Sequence, residues 1–142
     1  MNREILFKAK RKDNGKWVEG NLITNERNQN QKYIGYIFDE RNGVIEDFDL
    51  VEVIPDTLCQ YTGLTDKNGE KIWENDIVRD KTGDIFRIYW SEQLLNYSAK
   101  CVKSTFSVFI NQKWDLGTLL KSQIDVEVYG NVFDNADLLE VE

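Results

Sequence analysis

The sequence predicts a mainly β protein built from short antiparallel hairpins, with few and short helices. Short segments in which apolar and polar residues alternate dominate the chain, and this period of two is typical of strands. Turn signals rich in Asn, Asp and Gly separate these segments, and Pro55 is the only proline. The 142 residues suit one structural unit, which we divide after Asp56 into an N-terminal β-hairpin subdomain, residues 1–56, and a C-terminal subdomain, residues 57–142.

The first half predicts several strands and one long loop. Residues 6–12 and 17–23 flank Asn14-Gly15, which favours a hairpin with a type I′ turn because Asn and Gly accept positive φ. Residues 24–32 are polar and predict an exposed loop, whereas residues 33–38 resume strand character. After a turn at residues 39–43, residues 44–54 predict two short strands, which end where Pro55 restricts its predecessor to extended geometry.

The second half repeats this pattern of strands and tight turns. Turn signals occupy residues 66–69 and 80–84, and residues 85–90 place Phe86, Ile88 and Trp90 on one face. At residues 91–104 we expect an irregular connection with one helical turn, and the mixed spacing also allows a loop followed by a strand. The remaining predictions are strands at 105–111 and 124–133, a short helix at 116–121 and a capped turn at 134–139.

The composition excludes several classes of catalytic site. Because the chain has no histidine, it cannot form a Ser-His-Asp triad, a Cys-His pair or a histidine-based zinc site. Two cysteines are too few for a four-cysteine zinc site and indicate a reduced intracellular protein with buried thiols. The chain contains neither the GxxxxGK(S/T) nor the GxGxxG motif, the two glycine-rich motifs that bind phosphates. It also shows no apolar core of a signal peptide. We therefore expect a soluble, cytoplasmic protein without a cofactor or a metal.

The net charge of −7 is distributed in blocks. Residues 39–56 carry seven acids against one base, and residues 125–142 carry six acids and no base. These blocks are interpreted either as a solvated surface or as a face that docks on a basic host or viral protein. Acidic blocks repel phosphates, so nucleic-acid binding would depend on the basic first hairpin. Its candidate residues are Lys8, Lys10, Arg11, Lys12, Lys16 and Trp17.

Three acidic side chains offer a different chemistry near the centre of the chain. Glu74 and Asp76 would project from one face of an extended strand, and Asp66 is close in sequence. Together they could bind a hard cation in a metal-dependent hydrolase, or act as an acid–base pair. Thr62 has no imidazole to activate it as a nucleophile, so a lysine would have to serve.

The four tryptophans lie near predicted strands. We expect them to pack in the core and along strand edges, with a groove for a peptide or for stacked bases as the alternative. They are Trp17, Trp73, Trp90 and Trp114.

Three segments make the chain similar to the YopX family of phages and prophages. The central one, residues 60–69, reads Gln-Tyr-Thr-Gly-Leu-Thr-Asp-Lys-Asn-Gly and is followed by Ile72, Glu74 and residues 76–78. Residues 7–9 resemble the beginning of the family, and residues 128–135 with the following leucines resemble its ending. Asn75 and Ala136 depart from the family pattern, which has a glycine and a proline there.

The resemblance implies a mostly β protein with an SH3-like small barrel in its second half, encoded by a phage or prophage, with no established activity. The motif residues are interpreted mainly as setting the fold, because glycines permit turns that other residues resist. They are Gln60, Tyr61, Thr62, Gly63, Leu64, Asp66, Asn68, Gly69, Glu74, Asp76, Gly130 and Asn131.

We therefore expect a noncatalytic phage accessory protein that binds a phage or host protein and self-associates through a strand edge or an aromatic patch. A small barrel that binds nucleic acid is the main alternative, and a carboxylate hydrolase is the third. No catalytic residue is assigned.

Overall fold

A computed structural model of the protein describes residues 3–122 and 125–139. The fold is mainly β, as the sequence predicts, with two antiparallel sheets and one α-helix. The chain forms two compact units, Met1–Tyr61 and Thr62–Glu142, so the border follows Tyr61, whereas the division proposed from the sequence follows Asp56. None of the helices among the described residues is long and apolar enough to span a membrane.

The first unit is built on an antiparallel sheet. Its neighbouring strands run in the order β4, β3, β2, β1, β5. The strands are β1 (Phe7–Lys10), β2 (Trp17–Asn25), β3 (Asn28–Arg41), β4 (Val44–Val53) and β5 (Cys59–Thr65), the last of which ends in the second unit. A 3-10 helix over Pro55–Thr57 links β4 to β5.

The hairpin of β1 and β2 is present, but its turn differs from the prediction. The N–H of Arg11 donates to the carbonyl of Lys16, so four residues form the loop instead of two. Only Gly15 adopts positive φ there, at 73°, whereas a type I′ turn needs two such residues. The two-residue type I′ turn predicted at Asn14-Gly15 is therefore wrong.

Two further predictions for the first unit are corrected. The predicted loop at residues 24–32 is paired backbone, because β2 continues to Asn25 and β3 begins at Asn28. Polar residues can occupy these strands because most of their side chains are exposed there. Residues 44–53 form one strand instead of two, and Asn42 and Gly43, with φ of 54° and 79°, give the two-residue turn before it.

The core of the first unit is small. Ala9, Ile34 and Val53 are fully buried, and Phe7 and Val18 are among the side chains that pack against them. One face of the sheet supplies these residues, since side chains alternate between faces along each strand.

The second unit contains most of the remaining elements. A five-stranded antiparallel sheet runs in the order β10, β9, β8, β7, β11, and β6 neighbours the end of β5. The strands are β6 (Lys71–Trp73), β7 (Asp76–Arg79), β8 (Ile85–Ser91), β9 (Asn96–Lys103), β10 (Lys113–Asp115) and β11 (Glu127–Asn131). The helix α1 covers Leu116–Ser122, and 3-10 helices cover Ser107–Phe109 and Ala136–Leu139.

The predicted helix at residues 116–121 is confirmed by α1, and the strand predicted at 124–133 is present as β11, although residue 124 lies outside the described residues. The irregular connection predicted at residues 91–104 is wrong. There, the N–H of Leu95 donates to the carbonyl of Ser91 across a tight turn, and β9 follows. The turn at residues 92–95 contains no Gly, Asn or Asp, so the sequence carries no turn signal that would mark the hairpin.

The strand predicted at residues 105–111 is also wrong. This segment is an exposed connection containing the 3-10 helix, because the chain must reverse between β9 and β10. The N–H of Asn111 donates to the carbonyl of Cys101, and Asn111 adopts a positive φ of 70° at the reversal.

The core of the second unit is larger than that of the first. One face of its central strands supplies the cluster, since Val78, Phe86 and Cys101 lie opposite one another along the sheet, and Leu116 and Leu119 of α1 pack in the same cluster. The buried cluster also contains Ile72, Ile88, Ala99 and Val126. In the part of the chain that the structure describes, both sheets are open, so the SH3-like barrel stays a prediction.

Candidate functional site

The most unusual surface of the first unit is an apolar face on β2, β3 and β4. Five aliphatic or aromatic side chains there are between 44% and 66% exposed. We call this surface the outer hairpin face, and it consists of Ile23, Ile37, Ile45, Phe48 and Leu50. Single exposed apolar residues are ordinary, whereas a contiguous group of them is less common on the surface of a monomeric protein.

Strand register explains why these side chains share one face. Ile37 lies directly opposite Phe48, and Gly35 lies opposite Leu50. Ile34 and Val51, each one residue away along its strand, point to the other face and are buried. The hairpin of β3 and β4 is therefore apolar on both faces, while only one face contributes to the core.

A groove runs through the outer hairpin face because Gly35 has no side chain. A Cβ atom at Gly35 would lie 3.0 Å from Cδ1 of Ile23 and 3.7 Å from Cδ1 of Leu50. The groove has a volume of about 350 Å³, and Ile37 and Phe48 are among its other lining residues. Its walls are thus almost wholly apolar, which suits an apolar side chain of a partner.

Acidic residues also cluster near the tip of this hairpin. Asp39 lies directly opposite Asp47 across the strands, an arrangement in which like charges repel. Arg41 lies near Asp39, with its Nε atom 3.6 Å from a carboxylate oxygen. Among the described residues, Glu46 and Asp47 have no ion pair or hydrogen-bond partner for their side chains. Part of the acidic block found in the sequence therefore lies on the hairpin that carries the apolar groove.

The basic residues proposed for nucleic-acid binding lie on the first hairpin, and several are already engaged. Nε and Nη2 of Arg11 donate to the two carboxylate oxygens of Asp13, each at 2.9 Å. This hydrogen bond holds the pKa of Asp13 below its ordinary value. Nζ of Lys12 lies 3.2 Å from a carboxylate oxygen of Glu52. Two of the five cations are thus paired with acids.

Trp17 is the aromatic member of the same group. Nζ of Lys8 lies 4.7 Å from the centre of its indole ring, and Nζ of Lys10 lies 5.4 Å away. These are cation–π distances, so the two ammonium groups attract the ring that a nucleobase would stack on. Lys16 is exposed at the turn. The structure brings these residues together, and binding of nucleic acid by them stays a prediction.

The Asp66 carboxylate of the central motif is saturated with backbone hydrogen bonds. One oxygen accepts from the N–H groups of Asn68 and Glu70, and the other accepts from the N–H of Val128 at 2.8 Å. Gly69 closes this turn with a φ of 77°. Asp66 therefore ties the turn to β11, which supports its interpretation as a residue that sets the fold.

A second turn repeats this arrangement at Asp80. Its Oδ1 atom accepts from the N–H groups of Thr82 and Asp84, and the N–H of Gly83 donates to the carbonyl of Asp80. Both turns have the sequence Asp-Lys-X-Gly followed by an acid, at residues 66–70 and 80–84. The two turns share this sequence because both form a three-residue loop whose last residue, Gly69 or Gly83, adopts positive φ.

The remaining carboxylates of the hydrolase hypothesis lie on or before β7. Asp76 is buried, and its Oδ2 atom accepts from the N–H of Trp73 at 2.8 Å. Glu74 is half-buried. No group of three or more acidic, cysteine or histidine side chains suited to a metal occurs among residues 3–122 and 125–139. The hydrolase hypothesis therefore gains no support from the geometry of Asp66, Glu74 and Asp76.

Other motif residues also form backbone contacts. The hydroxyl of Thr62 donates to the carbonyl of Ile72 at 2.7 Å, and Gly63 adopts a φ of 87°. Tyr61 is buried, and its N–H donates to the carbonyl of Leu6. Gln60 pairs with β1, and Leu64 is partly exposed.

The C-terminal motif forms a hydrogen-bonded turn. A side chain at Gly130 would clash with Asn135, because a Cβ atom at Gly130 would lie 2.5 Å from Oδ1 of Asn135. The same Oδ1 atom accepts from the N–H of Asn131, and Oδ1 of Asn131 accepts from the N–H groups of Phe133 and Asp134. Gly130 therefore makes room for the side chain that holds the turn.

The tryptophans and cysteines divide between core and surface. Trp73 is buried, and Trp114 packs edge-to-face on Phe86 with ring centres 5.5 Å apart. Trp90 is 37% exposed. Both cysteines are buried free thiols, as the sequence predicts.

Comparison with known protein families tests the resemblance found in the sequence. The model of the YopX family, described as YopX protein, matches residues 6–140, nearly the whole chain. The chain belongs to the YopX family. The membership predicted from the motifs is thereby confirmed.

A solved relative gives this member of the YopX family a structural counterpart. The crystal structure of protein EF1440 from Enterococcus faecalis is similar with a TM-score of 0.59 and 18% identity, covering 98% of this chain and 100% of that chain. At this identity the likeness shows the fold alone. No curated protein matches the sequence.

Sequence reasoning missed the outer hairpin face. The available signal was the apolar run at residues 33–38, since consecutive apolar residues in an antiparallel strand cover both of its faces. The aliphatic and acidic alternation at residues 44–54 was the second signal. Without the strand register, nothing placed Phe48 beside Ile37.

Proposed function

We propose that this YopX-family protein is a noncatalytic module that binds a protein partner through the outer hairpin face. The observation that carries this proposal is the exposure of five apolar side chains around an apolar groove on the hairpin of β3 and β4 and the neighbouring β2. Burial of such a surface is the main favourable contribution in protein association, at roughly 25 cal/mol for each Å² of apolar area.

Phe48 is the anchor of this surface. It is the largest side chain of the outer hairpin face and the most exposed, at 66%. Aromatic residues at the centre of an interface often carry a large share of the binding energy. Its neighbour Ile37 and the groove at Gly35 supply the complementary apolar surroundings.

The proposal includes the setting that the family resemblance implies. The protein acts as an accessory protein of a phage or prophage in the cytoplasm of the bacterial host, and its partner is a phage or host protein. An SH3-like barrel in the second unit and self-association belong to the same proposal. In this proposal, the carboxylates of Asp66 and Asp76 do not take part in catalysis. They accept hydrogen bonds from backbone N–H groups of turns, which supports this role.

The experiment compares three tagged proteins in affinity capture from cells that carry the gene. The wild type is compared with Phe48→Ser and with Phe106→Ser, which changes a phenylalanine of similar exposure, 64%, in the second unit. Capture is run from lysates with and without nuclease treatment, and recovered proteins are identified and quantified by mass spectrometry.

We expect a stoichiometric protein that the wild type and Phe106→Ser retain after nuclease and that Phe48→Ser loses. Equal recovery by Phe48→Ser would remove the outer hairpin face as the binding surface. Recovery that disappears with nuclease would favour the basic hairpin and nucleic acid. Turnover of a substrate that Asp66→Ala abolishes in a folded protein would overturn the noncatalytic assignment.

A further inference from the structure

Three cations lie in one row across the five-stranded sheet of the second unit. Lys100 of β9 lies directly opposite Arg87 of β8 on one side and Lys113 of β10 on the other. Directly opposed side chains project from the same face of a sheet. Phe86 and Ala99, each one residue away along its strand, point to the other face and belong to the buried cluster. The three cations, which we call the cationic row, are therefore on the face opposite the core.

The cationic row has no neutralising acid. Among residues 3–122 and 125–139, the side chains of its three members form no ion pair and no hydrogen bond. Arg87 and Lys113 are exposed, and Lys100 is half-buried. Like charges directly opposite each other destabilise a sheet. An anion bound across the row would relieve this repulsion.

The surroundings of the row are basic although the whole chain is acidic. Residues 85–121 carry five cations and two acids, whereas the net charge of the chain is −7. One of the two acids, Asp115, shares the face of the row, because it lies opposite Ser98. Its carboxylate oxygens accept hydrogen bonds from the side-chain amide of Asn96 and from the N–H of Thr118, each at 2.9 Å. On the face that β8, β9 and β10 form, the cations of the row therefore outnumber the acids.

The direction of the row specifies the shape of its ligand. The row crosses three strands that lie about 4.8 Å apart, so it spans about 10 Å at right angles to the strands. A peptide that added to the sheet as a further strand would run along β10 and meet Lys113 alone. A chain that crosses the strands and carries regularly spaced negative charges would meet all three cations. A phosphodiester chain has this charge pattern.

Tyr89 favours a nucleic acid over an acidic peptide. It follows Arg87 by two residues on β8, so the two side chains project from the same face. Tyr89 is half-buried, and the residue opposite it is Ser98, whose side chain is small. Nucleobases stack on such rings, whereas the negative face of the ring repels a carboxylate. A single strand offers its bases for stacking, but a duplex keeps them paired.

We propose that the cationic row binds the phosphate backbone of a single-stranded nucleic acid, with one base stacked on Tyr89. The guanidinium of Arg87 binds a phosphate through two parallel hydrogen bonds, and the two lysines bind neighbouring phosphates as point charges. This inference goes beyond the proposed function and is independent of it, because the outer hairpin face belongs to the first unit and the cationic row to the second. It also places nucleic acid on a different surface from the first hairpin.

The experiment measures binding of a fluorescent oligothymidylate of about ten nucleotides to the full chain by fluorescence anisotropy. The titration is repeated over a series of salt concentrations. A duplex of the same length and a polyglutamate peptide of the same charge are used as competitors. A plot of the logarithm of the association constant against the logarithm of the salt concentration should have a slope of about −2, as three neutralised phosphates require.

Charge-removing variants test the row against the general charge of the second unit. Arg87→Gln and Lys113→Gln change exposed residues, and Lys121→Gln removes the same charge from an exposed position of α1 outside the row. We expect each row variant to weaken binding at low salt by about fivefold and to make the slope shallower by about 0.7, because one phosphate contact is lost. Lys121→Gln should weaken binding by less than about twofold and leave the slope unchanged.

Tyr89→Leu separates stacking from charge. Because stacking on an aromatic ring is not ionic, this variant should weaken binding by about fivefold at every salt concentration and leave the slope unchanged. Equal competition by the duplex and the single strand would contradict a stacked base and overturn the inference.

Absence of saturable binding at low salt, or equal losses in Arg87→Gln, Lys113→Gln and Lys121→Gln, would also overturn it. Stronger competition by polyglutamate than by unlabelled oligothymidylate would assign the row to an acidic protein instead. A loss confined to Lys16→Gln would place nucleic acid on the first hairpin. Capture by Phe48→Ser tests the outer hairpin face alone, so failure of either proposal leaves the other standing.

Discussion

Two hairpins of this protein use apolar residues in opposite ways. In the second unit, Ile88 of β8 lies opposite Ala99 of β9, and both are fully buried. In the first unit, Ile37 of β3 lies opposite Phe48 of β4, and both are more than half exposed. Similar side chains in similar hairpins therefore serve a core in one unit and a surface in the other.

The difference arises from what covers each sheet. In the second unit, α1 adds Leu116 and Leu119 to the buried cluster. The first unit has no α-helix among its described residues, and its fully buried cluster is limited to Ala9, Ile34 and Val53. An apolar face that the unit does not cover itself is available to a partner. Substitutions in the two hairpins should accordingly affect different properties.

The largest effect is expected from Ile88→Ala. Removal of a fully buried isoleucine leaves a cavity, so the free energy of unfolding should fall by about 2–5 kcal/mol. Ile37→Ala, which truncates a side chain that is 51% exposed, should change it by less than about 1 kcal/mol. Urea denaturation followed by tryptophan fluorescence measures both. Equal losses of unfolding free energy in the two variants would mean that Ile37 and Ile88 are packed alike, and the contrast between the two hairpins would be wrong.

Asp66→Ala should have the next largest effect. The substitution leaves the N–H groups of Asn68, Glu70 and Val128 without their acceptor, which should cost about 1–3 kcal/mol. The matched variant Asp66→Asn keeps one oxygen and should lose less. Stability measured by urea denaturation decides the case. A stable Asp66→Ala protein that loses only the binding of a divalent cation would restore the metal hypothesis.

Alkaline pH should destabilise the second unit through Cys101. Burial, followed by the nearby negative charges of Asp84 and Asp80, raises the pKa of its thiol from 9.0 to about 11. The folded state holds this proton more tightly than the unfolded state does. The contribution of the protonated thiol to the free energy of unfolding is therefore complete below pH 9 and is lost as the pH rises from about 9 to 11.

The measurement compares urea denaturation of the wild type and Cys101→Ala at pH 8 and pH 10. The wild type should lose more stability than Cys101→Ala over this interval. A parallel loss in both proteins would assign the alkaline effect to other groups.

The sequence predicts the positions of turns well where turn chemistry is explicit, although the predicted type of the turn at Asn14-Gly15 is wrong. The turns at residues 66–69 and 80–84 and the helix at 116–121 follow from Asn, Asp, Gly and helix-forming residues. It fails where tertiary context decides. Residues 105–111 alternate like a strand, yet the reversal between β9 and β10 requires a turn there. The outer hairpin face depends on register between strands and on missing cover, neither of which a single segment encodes.

The smallest effect on stability is expected from Phe48→Ser, the variant with the largest expected effect on binding. Phe48 is 66% exposed, so its removal forfeits mainly its cross-strand contact with Ile37, worth less than about 1 kcal/mol. Urea denaturation of Phe48→Ser and Phe106→Ser should give similar values, because both phenylalanines are largely exposed.

Similar stability of these two variants, together with loss of the captured partner in Phe48→Ser alone, separates a binding surface from a packing surface. A loss of several kcal/mol in Phe48→Ser would show instead that the outer hairpin face supports the fold of the first unit. In that case the exposed side chains would be part of a marginal core, and the contrast between the two hairpins would be one of degree.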